Sequence, residues 1–143
     1  MPQDGETAKV LEGLPGGREL LAWLGGIPNF GDAEVLGLTL DRSGASELRI
    51  LVINVEHGAS RRFKKAIVTF ALMNMMDVSV EGFSHQNVIG GLKIHRAPRK
   101  QKHPGLFGIG IIDSEHEIEL APCAGAFGTI RATIASISID PTS

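Results

Sequence analysis

Two carboxylates, Asp32 and Glu34, stand two residues apart in "WLGGIPNFGDAEVLGLTL", where a glycine-broken segment gives way to alternating apolar residues. In an extended chain both side chains emerge on one side, where they can hold a cation or work as an acid–base pair. The same residues serve equally well as punctuation, with Asp32 bonding its own turn and Glu34 opening a strand on its solvent face. A hard cation takes about six or more oxygens, and the sequence identifies no further ligands around this pair.

A second polar cluster, His85, Gln86 and Asn87, lies in "GFSHQNV" between apolar runs. Its amides offer both donors and acceptors, so it can converge on a ligand, fasten a turn, or bond Asp32 or Glu34 inside the fold. The five residues Asp32, Glu34, His85, Gln86 and Asn87 form the candidate binding set. A third feature is acidic: Glu115, Glu117 and Glu119 alternate with His116, Ile118 and Leu120. Strand periodicity places these glutamates on one face, either as a solvated surface or as a docking surface for a basic protein.

Other chemistries lack their residues. The five histidines show no metal spacing, and neither a phosphate-binding loop nor a nucleophile elbow occurs. Cys123, the single cysteine, sits in "APCAGAFG" with no neighbouring base to lower its pKa. The basic segment carrying Arg96, Arg99, Lys100 and Lys102 has no interleaved aromatics of the kind that stack single-stranded nucleic acid. The expectation is therefore no catalytic residue, no metal and no cofactor.

The elements that must position these residues follow from periodicity. Residues 1–15 are polar apart from Val10, Leu11 and Leu14 and read as a loosely held arm or one short turn. "GGRELLAWLGG" predicts a short helix with Leu20, Leu21, Trp23 and Leu24 on one face, stopped by Gly25 and Gly26. Strands follow at Leu36–Leu40, in "ELRILVINVE", in "RRFKKAIVTFALM", in "MDVSVEGF" and in "NVIGGLKIHR", the last with a bend at Gly90 and Gly91. "GLFGIGIID" and "HEIELAP" predict a hairpin turning near Ser114, and "GTIRATIASISID" a closing strand whose apolar side swaps midway. The sum is a strand-rich α+β domain over residues 16–143, with one short helix on a mainly antiparallel sheet or half-barrel of about seven to eight strands.

A chain of 143 residues buries enough surface for one core. Six Phe, one Trp and no Tyr leave that core to Ile, Leu, Val and Ala. A net charge of −2 produces no field suited to nucleic acid. No stretch has the length of a membrane span or of a signal-peptide apolar core, so the cytoplasm is the expected location.

Two of these segments carry a family resemblance. "FGDAEVLGLTL" resembles the Phe-His-Asp-Ala-Glu-Val segment, and "FSHQNVIGGLKI" the Phe-Asn-x-Gln-Asn segment, of the bacterial immunity protein 50 family. Phe30, Asp32, Ala33, Glu34 and Val35 fit the first motif, and Phe83, Gln86, Asn87 and Val88 the second; Gly31 stands where the family has histidine. The likeness runs from Trp23 to Ile94. It implies a non-catalytic protein of polymorphic toxin systems that binds and neutralises its own cell's toxin. The rival readings are a small-ligand or metal-binding domain with a pocket of Asp32, Glu34, His85 and Asn87, and a homodimer formed through an exposed sheet edge. The resemblance also suggests that the two polar clusters face each other, braced by carboxylate–amide hydrogen bonds.

Overall fold

In the computed structural model, residues 5–41, 45–55, 63–96 and 115–142 are described. Two short helices, α1 (Gly5–Glu12) and α2 (Gly17–Trp23), precede six strands: β1 (Glu34–Thr39), β2 (Ser46–Val55), β3 (Phe63–Glu81), β4 (Gly91–Arg96), β5 (His116–Ala121) and β6 (Phe127–Thr142). The strands form one sheet in the order β1-β2-β3-β6-β5-β4, and every neighbouring pair is antiparallel.

The expected strand-rich α+β architecture is present, with differences in count. The segments "RRFKKAIVTFALM" and "MDVSVEGF" belong to one strand, β3. They read as two because the ladder to β6 breaks between Met73 and Asp77, where Asn74, Met75 and Met76 oppose the single Ala132. Asn74 takes a left-handed φ of 51° there, which Asn tolerates better than most residues. This wide bulge bends β3 without ending it. The expected strand "GLFGIGIID", the turn near Ser114 and the basic segment from residue 97 onward lie outside the described residues.

The predicted swap in β6 is observed and has a local cause. Ile130, Ala132 and Ile134 point inward, then the parity shifts to Ile137. Ala71 pairs with Ser136 and Leu72 with Ile134, so Ala135 is an extra residue that moves the buried side by one position.

Inward residues of the strands form a single core with both helices, including Leu48, Ile50, Phe70, Ile94, Ile118 and Ile130. Each such side chain, fully buried, contributes roughly 1.5–3 kcal/mol of transfer free energy. Helix α2 matches its expected bounds, and the amides of Gly25 and Gly26 close it by bonding the carbonyls of Ala22 and Leu21. Its start is pressed on β6: the Ile137 amide donates to the Pro15 carbonyl at 2.8 Å. A Cβ on Gly16, whose φ is +83°, would lie 1.8 Å from the Ile137 carbonyl oxygen, so only glycine fits.

The N-terminal segment differs from expectation. From Gly5 to Glu12 it is helix α1, with Thr7, Val10 and Leu11 buried on one face. This helix covers the outer edge of β4. The Thr7 hydroxyl accepts from the Ile94 amide at 3.0 Å, and Glu6 Oε2 accepts from the Arg96 amide at 3.1 Å. Edge-strand groups that would otherwise be open to another chain are satisfied from within. No helix among the described residues is long and apolar enough to cross a membrane.

Candidate functional site

The two polar clusters singled out in the sequence meet. Residues 87–90 run as a crosspiece between the approach to β1 and the β5–β6 connection. On one side the amides of Asp32 and Val35 donate to the carbonyls of Ile89 and Asn87, while the Ile89 amide donates to the Ala33 carbonyl, over 2.8–3.1 Å. On the other, Val88 and Ala124 exchange both main-chain bonds, at 2.7 and 2.9 Å, and the Gly90 amide donates to the Ala121 carbonyl. The curled sheet thereby joins its two edges at one end through bridges Glu34–Val88 and Val88–Ala124. Phe30 and Ala33 are buried beneath this junction, and Asp32 adopts a left-handed φ of 65° to make the turn between them.

Main-chain bonds make the brace that was expected of carboxylates and amides. Asp32 is exposed and Glu34 half-buried, and among the described residues neither bonds Gln86 or Asn87. His85 and Gln86 are exposed, whereas Asn87 is buried. Its Oδ1 accepts from the amides of Ser84 (2.9 Å) and Ala126 (3.1 Å), and its Nδ2 donates to the Ser84 carbonyl at 2.9 Å. Asn87 thus fastens the turn and ties it to the start of β6. Gly125 completes the knot: at φ +96°, a Cβ there would lie 2.1 Å from the Gln86 carbonyl oxygen. No cluster of three or more His, Cys, Asp or Glu side chains among the described residues is arranged to hold a metal.

Beside the junction lies a groove of roughly 570 Å³. Phe30 and Gly31 of the first family-like segment and Gly90 and Gly91 of the second line it, together with Lys93, Glu119, Phe127 and Thr129 of β4, β5 and β6. The lining thus combines bare glycine backbone with a cation, an anion, a hydroxyl and an aromatic ring. That mixture suits a protruding polypeptide side chain or turn: apolar contact for its stem and polar groups for its tip.

The acidic stripe exists as expected along β5, with Glu117 and Glu119 outward and His116, Ile118 and Leu120 buried. Across the strands it is interrupted by bases. Glu117 stands in register between His95 and Arg131, and Arg131 in turn opposes Asp77, so charges alternate across four strands. Glu119 stands in register with Lys93, yet its Oε2 bonds Nε2 of His95 at 3.3 Å. Glu115 lies at the open end of the stripe, its amide bonded to the Thr133 hydroxyl.

Two histidines in this region are shifted in opposite senses. Partial burial disfavours the cation of His95, but hydrogen bonds and charge from Glu6 and Glu119 outweigh it and raise the pKa above 6.5. For His116, burial dominates and lowers the pKa; Arg96 adds to this and Glu115 opposes it. The geometry agrees, because the Ile134 amide donates to His116 Nδ1 at 3.1 Å and so requires a lone pair there.

Sequence reasoning missed Lys93, Phe127, Thr129 and His95 as neighbours of the junction. They come from two strands, β4 and β6, and share no local motif; only the register of the sheet through β5 assembles them. Comparison with protein-family models, curated proteins and solved structures finds no match.

Proposed function

We propose that this chain is a non-catalytic, cytoplasmic binding protein of the immunity type, which neutralises a cognate bacterial toxin by direct contact. One observation supports this reading above others. The two segments that resemble the immunity protein 50 family, about fifty residues apart in sequence, meet in space and jointly wall the groove. Position 31 strengthens the point. A Cβ on Gly31 would approach Asn29 Oδ1 at 3.3 Å and the Gly90 carbonyl oxygen at 3.7 Å, both of residues lining the groove. The histidine that the immunity protein 50 family has at the resembling position would start from that lining.

In this reading the groove receives a projecting side chain of the toxin, and the stripe Glu115, Glu117 and Glu119 continues the contact toward a basic surface. Phe127, a partly exposed ring beside Lys93, Glu119 and Thr129 in the groove, is the aromatic anchor of this reading. The test is calorimetric titration with the product of the adjacent gene. Phe127→Ala should weaken binding by about 30-fold or more. Charge reversal of all three glutamates should slow association and reduce its salt dependence. Both variants binding like wild type would reject this surface. A melting temperature raised by divalent cations alone would instead favour the pocket of Asp32, Glu34, His85 and Asn87.

A further inference from the structure

We infer that His95, gripped between Glu6 and Glu119, is a proton-dependent latch that fixes the first turn of α1 to the outer edge of β4. The geometry is specific. The imidazole Nδ1 lies 3.2 Å from Glu6 Oε1 on α1, and Nε2 lies 3.3 Å from Glu119 Oε2 on β5. A neutral imidazole carries one N–H, so it can donate to only one of these acceptors. The imidazolium carries two and satisfies both carboxylates at once. Protonation therefore converts a one-sided contact into a bridge between a helix and a strand that β4 separates.

The surroundings of the ring bear on this response from each side. α1 presents Glu6, and β5 presents Glu119 together with Glu117, which stands opposite His95 in the register. On β4 itself Lys93, two residues before His95, shares its face, while Arg96, the next residue, is on the opposite face. Burial of the ring disfavours its cation, but the hydrogen bonds and charges of Glu119 and Glu6 outweigh it and raise the pKa of His95.

The latch acts where the sheet edge is guarded. Glu6 uses its second oxygen to accept from the Arg96 amide at 3.1 Å, so its position determines whether that edge group is covered. Val10 and Leu11, further along α1, are held in the core and do not depend on His95. The proton thus governs the grip on Glu6 at the start of the helix, while Thr7, Val10 and Leu11 keep the rest docked. The sign follows from linkage. Because the folded pKa lies above the unfolded 6.5, the latch contributes fully below 6.5 and is lost as pH rises through the folded value.

The experiment is NMR titration of His95 combined with hydrogen exchange of the Arg96 amide. Glu6→Gln and Glu119→Gln should each lower the His95 pKa toward 6.5, since each removes a charge from an exposed or half-exposed position without deleting the side chain. The protection factor of Arg96 should fall at least about threefold between about pH 6 and about pH 8.5 in the wild type. In His95→Gln it should not vary with pH. A His95 pKa unchanged by both substitutions, or Arg96 protection in the wild type that ignores pH, would overturn the latch.

Discussion

Replacing Asn87 by alanine tests whether the junction depends on this one buried side chain. The substitution removes three hydrogen bonds and leaves the Ala126 amide, which is buried, without its acceptor. An orphaned buried donor costs about 1–3 kcal/mol, and the bonds to Ser84, where water can substitute, add about 0.5–1 kcal/mol. The expected loss is therefore about 1.5–4 kcal/mol. For a domain of this length that corresponds to a melting temperature lower by roughly 5–13 °C. Urea denaturation followed by circular dichroism gives the free energy, and calorimetry the melting point. Asn29→Ala, removing one exposed bond to the Gly31 amide, serves as the control at under about 1 kcal/mol. If Asn87→Ala costs no more than that control, the knot is held by the main-chain ladder alone and this account of Asn87 is wrong.

Two further outcomes follow from the same geometry. Thr7→Val keeps the shape of a fully buried side chain but removes the hydroxyl that accepts from the Ile94 amide; it should cost about 1–3 kcal/mol in urea melts, and a change near zero would show that β4 does not rely on α1. His116→Asn places an oxygen near the position of Nδ1. Because the folded pKa of His116 is lowered, its stabilising effect is complete above 6.5 and is lost as pH falls below it. Wild-type stability should therefore decline from about pH 6.5 to about pH 5 more steeply than that of His116→Asn; parallel profiles would mean that the buried ring titrates normally.

Local patterns in the sequence were sufficient for helix α2, for the alternation in β5, and for the shift of the buried side within β6. Each rests on spacing between residues close in the chain: leucines between glycine stops, a period-two run, and an isoleucine series that changes parity at Ala135. In β1 the alternation of Leu36, Leu38 and Leu40 predicts the wrong buried face, because a bulge between Val35 and Gly37 buries Val35 and leaves Leu36 and Leu40 exposed. The helical face of α1 was present as Thr7, Val10 and Leu11, but a threonine among polar residues does not announce itself as buried. Its burial follows from the β4 edge, which it satisfies. The unity of β3 was hidden for a related reason, since a bulge at 74–76 looks like a turn until β6 is seen to continue across it.

The candidate site divides along the same line. The polar residues at 32–34 and 85–87 were recognisable by type, and the family-like motifs pointed to their proximity. Which atoms join them was decided by tertiary structure. Once an extended crosspiece lies between two strands, its backbone groups find partners at every position, leaving the carboxylates of Asp32 and Glu34 free to face outward. The groove, the charge row across four strands and the His95 bridge depend on register between segments far apart in the chain. Sequence alone establishes what each strand offers on either face; only the paired sheet determines which offerings stand side by side, because antiparallel register is set by bulges and by long-range closure of the barrel end.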